Sequence, residues 1–186
     1  MAIRQRKPAT YQDIIDLPEH LVGEIIDGEL YTQPRPAPRH VRASSSLGDE
    51  LVSPFDKGRG EPGGWWIFDE PELHLGPHIQ VPDLAGWRRE RMPSLPETAW
   101  FELPPDWICE VLSPKTAGKD RAKKMPIYAA QGVRHIWLVD PDLRTLEIYE
   151  NADGRWLLLR VYEGEEGVSA VPFDAIGFNL GVLWAD

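Results

Sequence analysis

Asp106-Trp107-Ile108-Cys109-Glu110-Val111-Leu112-Ser113-Pro114 is the stretch that decides the fold. Ile108, Glu110 and Leu112 alternate onto one face of an extended chain, and Trp107, Cys109 and Val111 onto the other. Apolar side chains on both faces predict a strand inside a covered sheet. Glu110 is then a carboxylate where an ionised one costs several kcal/mol unless a positive group meets it. The basic segment that follows predicts a helix from about Gly118 to Gln131, with Gly132 as its stop. Pro126 inside it predicts a kink or a second helix start, because proline has no N–H and clashes with the preceding turn. Val133 to Asp140 reads as another strand. Strand, helix, strand within one sheet makes a right-handed crossover between parallel strands.

Working outward, Thr10 and Asp13 mark a short helix that ends before Pro18. Asp27-Gly28 between the strand-like runs from Val22 to Thr32 signals a hairpin, since a type I′ turn needs positive φ at both central residues. Residues 33 to 39 carry three prolines and read as a loop, and His40 to about Phe55 as a helix. Gly58 to Gly64 is a turn. Trp65–Glu70, Leu73–Leu75 and Ile79–Ala85 read as consecutive strands, and 92–105, with four prolines, as a surface loop covering an edge. Arg144–Glu150, Arg155–Tyr162 and Gly167–Val171 continue as an antiparallel meander. The sum is one α/β domain over residues 1–186: a mixed central sheet flanked by helices, with an N-terminal hairpin.

The 186 residues suffice for one sizeable core, and 42% hydrophobic and 27% charged residues are ordinary for a globular protein. No apolar run approaches the roughly 20 residues of a membrane span. The N-terminus, Met1 to Pro8, is basic without an apolar stretch, so it reads as no secretory signal. The single cysteine, Cys109, excludes an internal disulfide and reads as a small core side chain. These features predict a cytoplasmic protein. A net charge of −10 argues against indiscriminate nucleic-acid binding but leaves room for a basic groove. Lys115, Lys119, Arg121, Lys123 and Lys124 against Asp120 give a local net of +4. Arg35, Arg39 and Arg42 form a second basic set, and Arg88, Arg89 and Arg91 a third. Solvated faces are the plain reading of each.

Asp83 follows the logic of Glu110, in Ile79-Gln80-Val81-Pro82-Asp83-Leu84-Ala85. Two carboxylates on adjacent strands supply the oxygen ligands that magnesium or manganese prefers, and a cation offsets their burial. Such a cation neutralises charge on a phosphoryl oxygen, and a lysine beside it stabilises developing negative charge. Asp120, Lys124 and Tyr128 are spaced four apart and share a helix face. Other constellations fail. Gly76-Pro77 breaks any helix between His74 and His78, which disfavours zinc, and Cys109 has no His near it in sequence. There is no Gly-rich phosphate loop. Of the eight tryptophans, Trp107 and Trp137 fall in core strands, and Trp87 and Trp100, beside loops, are the candidates for base stacking.

Pro82-Asp83, Glu110-Val111-Leu112-Ser113-Pro114, the trio Asp120, Lys124 and Tyr128, Gly132-Val133, and Trp137-Leu138-Val139-Asp140-Pro141 together resemble the Uma-two family. So do the hairpin Gly23 to Leu30 and Pro38-Arg39-His40. That family is a branch of the PD-(D/E)XK nuclease superfamily, and the resemblance runs from about Tyr11 to about Tyr149. It implies a restriction-endonuclease-like fold and a magnesium- or manganese-dependent nuclease acting on DNA, with Asp83 and Glu110 as metal ligands. The superfamily's lysine, two residues after the acid, is Leu112 here. The family pattern implies Lys124 in its place, with Lys123 as the reserve. A homodimer is implied in so far as double-strand cutting wants two sites.

Two further residues have open roles. Glu24 is a third acid, a second-metal ligand or a solvated strand charge. His40 touches a phosphate or a water, or begins a helix. The plain structural alternative is that Asp83 caps a strand end and Glu110 pairs with Lys124 without function. The rival functions are a catalytically inactive binding or assembly module that keeps the fold, and a metal-free sugar hydrolase using two carboxylates.

Overall fold

The computed structural model describes residues 7–60 and 62–185. Most of the basic N-terminal run therefore lies outside the described residues. Six strands form the main sheet in the order β10-β9-β8-β7-β6-β3. They are β3 (Trp65–Asp69), β6 (Leu84–Arg88), β7 (Trp107–Val111), β8 (His135–Asp140), β9 (Thr145–Ala152) and β10 (Arg155–Glu163). Every residue of β7 is buried. β7 and β8 are parallel, Trp107 opposite His135 through Val111 opposite Val139, and every other neighbouring pair is antiparallel. Parallel neighbours need a crossover, which the basic segment provides.

Both faces are covered, as the alternation in β7 requires. Trp107, Cys109 and Val111 pack against Ala43, Leu47 and Leu51 of α2 (Pro38–Leu51) and against Phe173. Ile108 and Leu112 pack against Met125 and Tyr128 of α4 (Met125–Ala130). A second sheet, order β2-β1-β5-β4, contains β1 (Leu21–Ile26), β2 (Glu29–Pro34), β4 (Leu73–Leu75) and β5 (His78–Gln80). Its hairpin turns at Asp27 and Gly28, with φ of 52° and 74°. The cap on α1 (Tyr11–Ile15) forms as expected: Asp13 Oδ2 accepts from the Thr10 backbone N–H and hydroxyl.

The expected single strand from Ile79 to Ala85 is two strands in two sheets. β5 pairs with β1 and β4, whereas β6 pairs with β3 and β7. Pro82 sits at the break, where its missing N–H cannot serve a ladder. Asp83 therefore sits at the junction of the sheets, just before β6.

The crossover is not one helix. It runs as α3 (Ala117–Lys119), a π-helical turn (Asp120–Lys124) and α4, with Pro126 in the first turn of α4. The wider turn absorbs the hydrogen bond that Pro126 cannot donate. α2 ends the same way, in a π turn over Val52–Asp56 that contains Pro54. It starts earlier than expected, at Pro38, because proline is pre-set for the first helical position. The loop expected over 33–39 shrinks to 35–37. The third strand of the expected meander does not join the main sheet: Gly167–Val168 pairs with Phe178–Asn179. Loop 92–105 covers an edge, as expected, since His74 N–H donates to Phe101 O and Phe101 N–H to Glu72 O beside β4. It also buries Trp87 completely, and Trp87 Nε1–H donates to Leu103 O. Trp87 is thus core, not a base-stacking surface.

Trp137 is 1% exposed, and its Nε1–H donates to Val171 O. Trp137→Ala empties a ring-sized volume and orphans that carbonyl. It should lower the unfolding free energy by about 3–5 kcal/mol, read as a lower urea midpoint at unchanged slope.

Candidate functional site

A cleft of about 680 Å³ opens where the two sheets meet the crossover. β2 and residues 34–37 form one wall, residues 113–116 another, and His40, Asp83, Glu110, Lys119, Asp120 and Lys124 line it. A smaller hollow of about 380 Å³ under loop 92–103 has only Glu97 and Glu102 as charged lining groups.

The break at Pro82 shapes the first carboxylate. The β6–β7 ladder stops at Leu84 opposite Cys109. The Asp83 side chain continues it, with Oδ2 accepting the Val111 N–H at 2.7 Å. The other oxygen, Oδ1, accepts from His40 Nε2–H at 2.5 Å, and His40 comes from the first turn of α2. Asp83 is therefore a strand-end cap on one oxygen and faces a histidine on the other.

Glu110 lies on the α4 side of β7. Its Oε1 accepts from Tyr128 Oη–H at 2.8 Å and from Lys124 Nζ at 2.7 Å. Lys124 is 1% exposed, and its ammonium also reaches Glu24 Oε1 at 2.8 Å and Val81 O at 3.4 Å. Asp120 Oδ1 is 4.0 Å away. The expected face of Asp120, Lys124 and Tyr128 thus points at Glu110. Lys123 lies over the Tyr31 ring at 5.3 Å instead, away from the carboxylates.

Glu24 is in the site and not a solvated strand charge. Its Oε1 accepts from Val81 N–H at 3.0 Å and meets Lys124, while Oε2 meets Lys119 Nζ at 2.5 Å. Lys119 also donates to Gln33 Oε1 at 3.3 Å. Sequence reasoning passed over Lys119 because five residues along an α-helix turn through about 140° beyond a full circle. The π turn closes i to i+5 and brings Lys119 and Lys124 to the same carboxylate. Pro126 was the only sequence signal that the helix would be irregular there.

Other basic residues have structural tasks. Arg89 bonds Asp56 and lies over Trp66, Arg88 lies over Trp65, and Arg91 meets Asp106. Arg121 forms a two-pronged pair with Glu147. Of the three basic sets, Arg35, Lys115, Lys119 and Lys124 reach the cleft. His74 Nε2 bonds Glu72 and its ring stacks on Trp100, and His78 Nδ1 accepts from the Asp27 N–H.

The two glutamates share Lys124 yet titrate in opposite directions. Burial alone would raise Glu24, but Lys124 and Lys119 override it and bring the carboxyl down to about 2. Burial also raises Glu110. There Lys124 opposes it alone, while Asp120, Asp83 and Glu24 add like charge, and the carboxyl goes up to about 8. Burial lowers the Lys124 ammonium, but Glu110 and Glu24 outweigh it and hold it charged.

Both shifts have stability signatures. The depressed Glu24 contributes on the order of 3 kcal/mol, complete above its ordinary value of 4.5 and lost as pH falls through about 2. Glu24→Gln should remove that acid-side slope from the stability curve. For the raised Glu110, the unfolded chain releases its proton near 4.5 and the folded chain holds it to about 8, so stability falls as pH rises across that window. Glu110→Gln should be about 1–3 kcal/mol more stable than the parent at pH 8, with the gap closing toward pH 4.5, as urea unfolding at each pH would read.

Among curated proteins no sequence matches the chain. A solved structure does: one described as a "putative nuclease belonging to DUF820", from Anabaena variabilis ATCC 29413. It aligns with a TM-score of 0.77 at 24% identity, over 95% of this chain and 98% of that one, a likeness of fold. The family profile described as "Putative restriction endonuclease", Uma2, matches residues 9–182. With nearly its whole length covered by that profile, and with the mixed sheet and cleft carboxylates the resemblance implied, the chain belongs to the Uma2 family.

Proposed function

We propose that this protein is a magnesium- or manganese-dependent nuclease that hydrolyses DNA phosphodiester bonds. The observation that carries the reading is Lys124: a buried ammonium held against Glu110 in the cleft that also contains Asp83. Family membership supports nuclease chemistry in general.

The donor set suits a hard divalent cation. Among the described residues no three His, Cys, Asp or Glu side chains form a ready-made cage. Magnesium does not ask for one, since it takes one or two carboxylates plus water and substrate phosphate. Asp83 and Glu110 are the ligands we assign. Glu110 keeps Oε2 for this role, because Tyr128 and Lys124 both use Oε1. Glu24 is left out of the metal set, because its oxygens already serve Lys124, Lys119 and the Val81 amide. When bound, such a cation supplies positive charge against the phosphoryl oxygens.

The chain's own groups do the rest. His40 orients Asp83, and Tyr128 orients Glu110. Lys124 presents its ammonium to the charge that develops on the phosphoryl group, and Glu24 with Lys119 fixes where that ammonium stands. Arg35 and Lys115 on opposite walls meet the backbone phosphates on either side. Cutting both strands takes two such sites, which a homodimer would bring.

Purified protein with magnesium or manganese should cut DNA and stop when the metal is chelated. Asp83→Ala and Glu110→Ala should abolish cutting while circular dichroism stays native, and Lys124→Ala should lower kcat about 10²–10³-fold. Parent-like cutting by both acid variants would refute the site. Absence of cutting, with no manganese-linked heat that depends on Asp83 and Glu110 in calorimetry, would instead favour a binding or assembly module that keeps the fold without turnover.

A further inference from the structure

β10 is the outermost strand of the six-stranded sheet. β9 holds its inner side, and among the described residues no strand pairs with its outer side, although at its last residue Glu163 N–H donates to Glu166 Oε2 and Glu163 O accepts from Glu166 N–H. Leu157, Leu158, Leu159 and Val161 are 55%, 47%, 42% and 46% exposed. β3, at the opposite edge, buries Trp65 and Ile67 and ends on Asp69. A long apolar edge is a template for another strand, and proteins guard such edges with prolines, charges or bulges. β10 has no proline. Its guards are a bulge, since β9 pairs with Leu158 and Arg160 and skips Leu159, and the exposed Arg160 beside it, which leave the apolar run from Leu157 to Leu159 open.

The charges on β10 identify the partner. Arg155 stands at its start and Glu163 at its end, and neither has an ion-pair partner among the described residues. A strand positive at one end and negative at the other is self-complementary only when antiparallel. Centred on Leu159, self-pairing sets Arg155 opposite the second copy's Glu163 twice over and Leu157 opposite Val161 twice. Moving the centre to Arg160 would set that arginine against itself. Moving it to Leu158 would leave Arg155 opposite Val161. Opposite charges across a strand pair stabilise it and like charges destabilise it.

We propose that β10 is a self-association edge, and that two copies pair through it antiparallel about a two-fold axis at Leu159, joining their main sheets into one. The same patch then serves both sides, as a closed two-fold dimer requires. The exposed leucines and Val161 lose water across the seam, and the bulge places the axis where β9 does not hold the strand. The inference is independent of what the cleft cuts.

Sedimentation velocity over a range of concentrations tests it. The parent should be a dimer. Leu158→Lys should release monomers with far-UV circular dichroism unchanged. Arg155→Glu, at an exposed strand end, should raise the dimer dissociation constant on the order of tenfold by facing Glu163 with its like. The double variant Arg155→Glu with Glu163→Arg should restore the parent's value. If Leu158→Lys fails to fold, the Arg155 pair of variants carries the test. A parent that stays monomeric, an open-ended oligomer, a dimer indifferent to Arg155→Glu, or a charge swap that does not restore association would each overturn the proposal.

Discussion

The structure depends on a single buried ammonium. Lys124 comes from the crossover and touches Glu24 of the four-stranded sheet, Glu110 of the six-stranded sheet and the Val81 carbonyl between them. Taking a lysine out of water costs several kcal/mol unless the surroundings return it. Here two carboxylates and a carbonyl do so, and each comes from a different part of the chain. The cleft opens where these parts meet, with Lys124 in its lining. Fold and site are therefore not separable layers in this protein.

Much of this was legible in the residues. The two-faced alternation around Glu110 placed β7 at the centre of a covered sheet, because burial on both sides leaves no polar face. Asp27-Gly28 placed the hairpin, because few dipeptides accept positive φ twice. The spacing of four from Asp120 to Tyr128 placed Lys124 and Tyr128 on Glu110. What escaped was decided by tertiary partners. Nothing local in Ile79 to Ala85 says that its halves serve different sheets, although Pro82 marks the place. Trp87 looked accessible because it adjoins arginines and a proline-rich loop; the loop folds over it, and Phe101 stacks on its ring at 4.4 Å. Lys119 was hidden by assuming α-helical spacing where the helix is wider.

Glu110 is where the fold accepts a disfavoured group. Glu24 has Lys119, the Val81 amide and a share of Lys124, whereas Glu110 has only its share of Lys124 and stands among Asp83, Asp120 and Glu24. A sequence shaped for stability alone would put an apolar residue there, as at Ile108 and Leu112 on the same face. A carboxyl so strongly perturbed, in a cleft and beside a named charge partner, marks a candidate functional site.

The junction at Val81-Pro82-Asp83 has a consequence for how such chains can diverge. Three residues carry the backbone from one sheet to the other and deliver a carboxylate to the Val111 amide. Strand side chains alternate, so one inserted or deleted residue here would swing that carboxylate to the far face and free the amide together. Length at this crossing is thus fixed more tightly than identity at most surface positions. Residues 93–99 of the proline-rich span, which precede the Phe101 bridge to β4, have no such phase to keep, and it is there that descendants of this chain can change length.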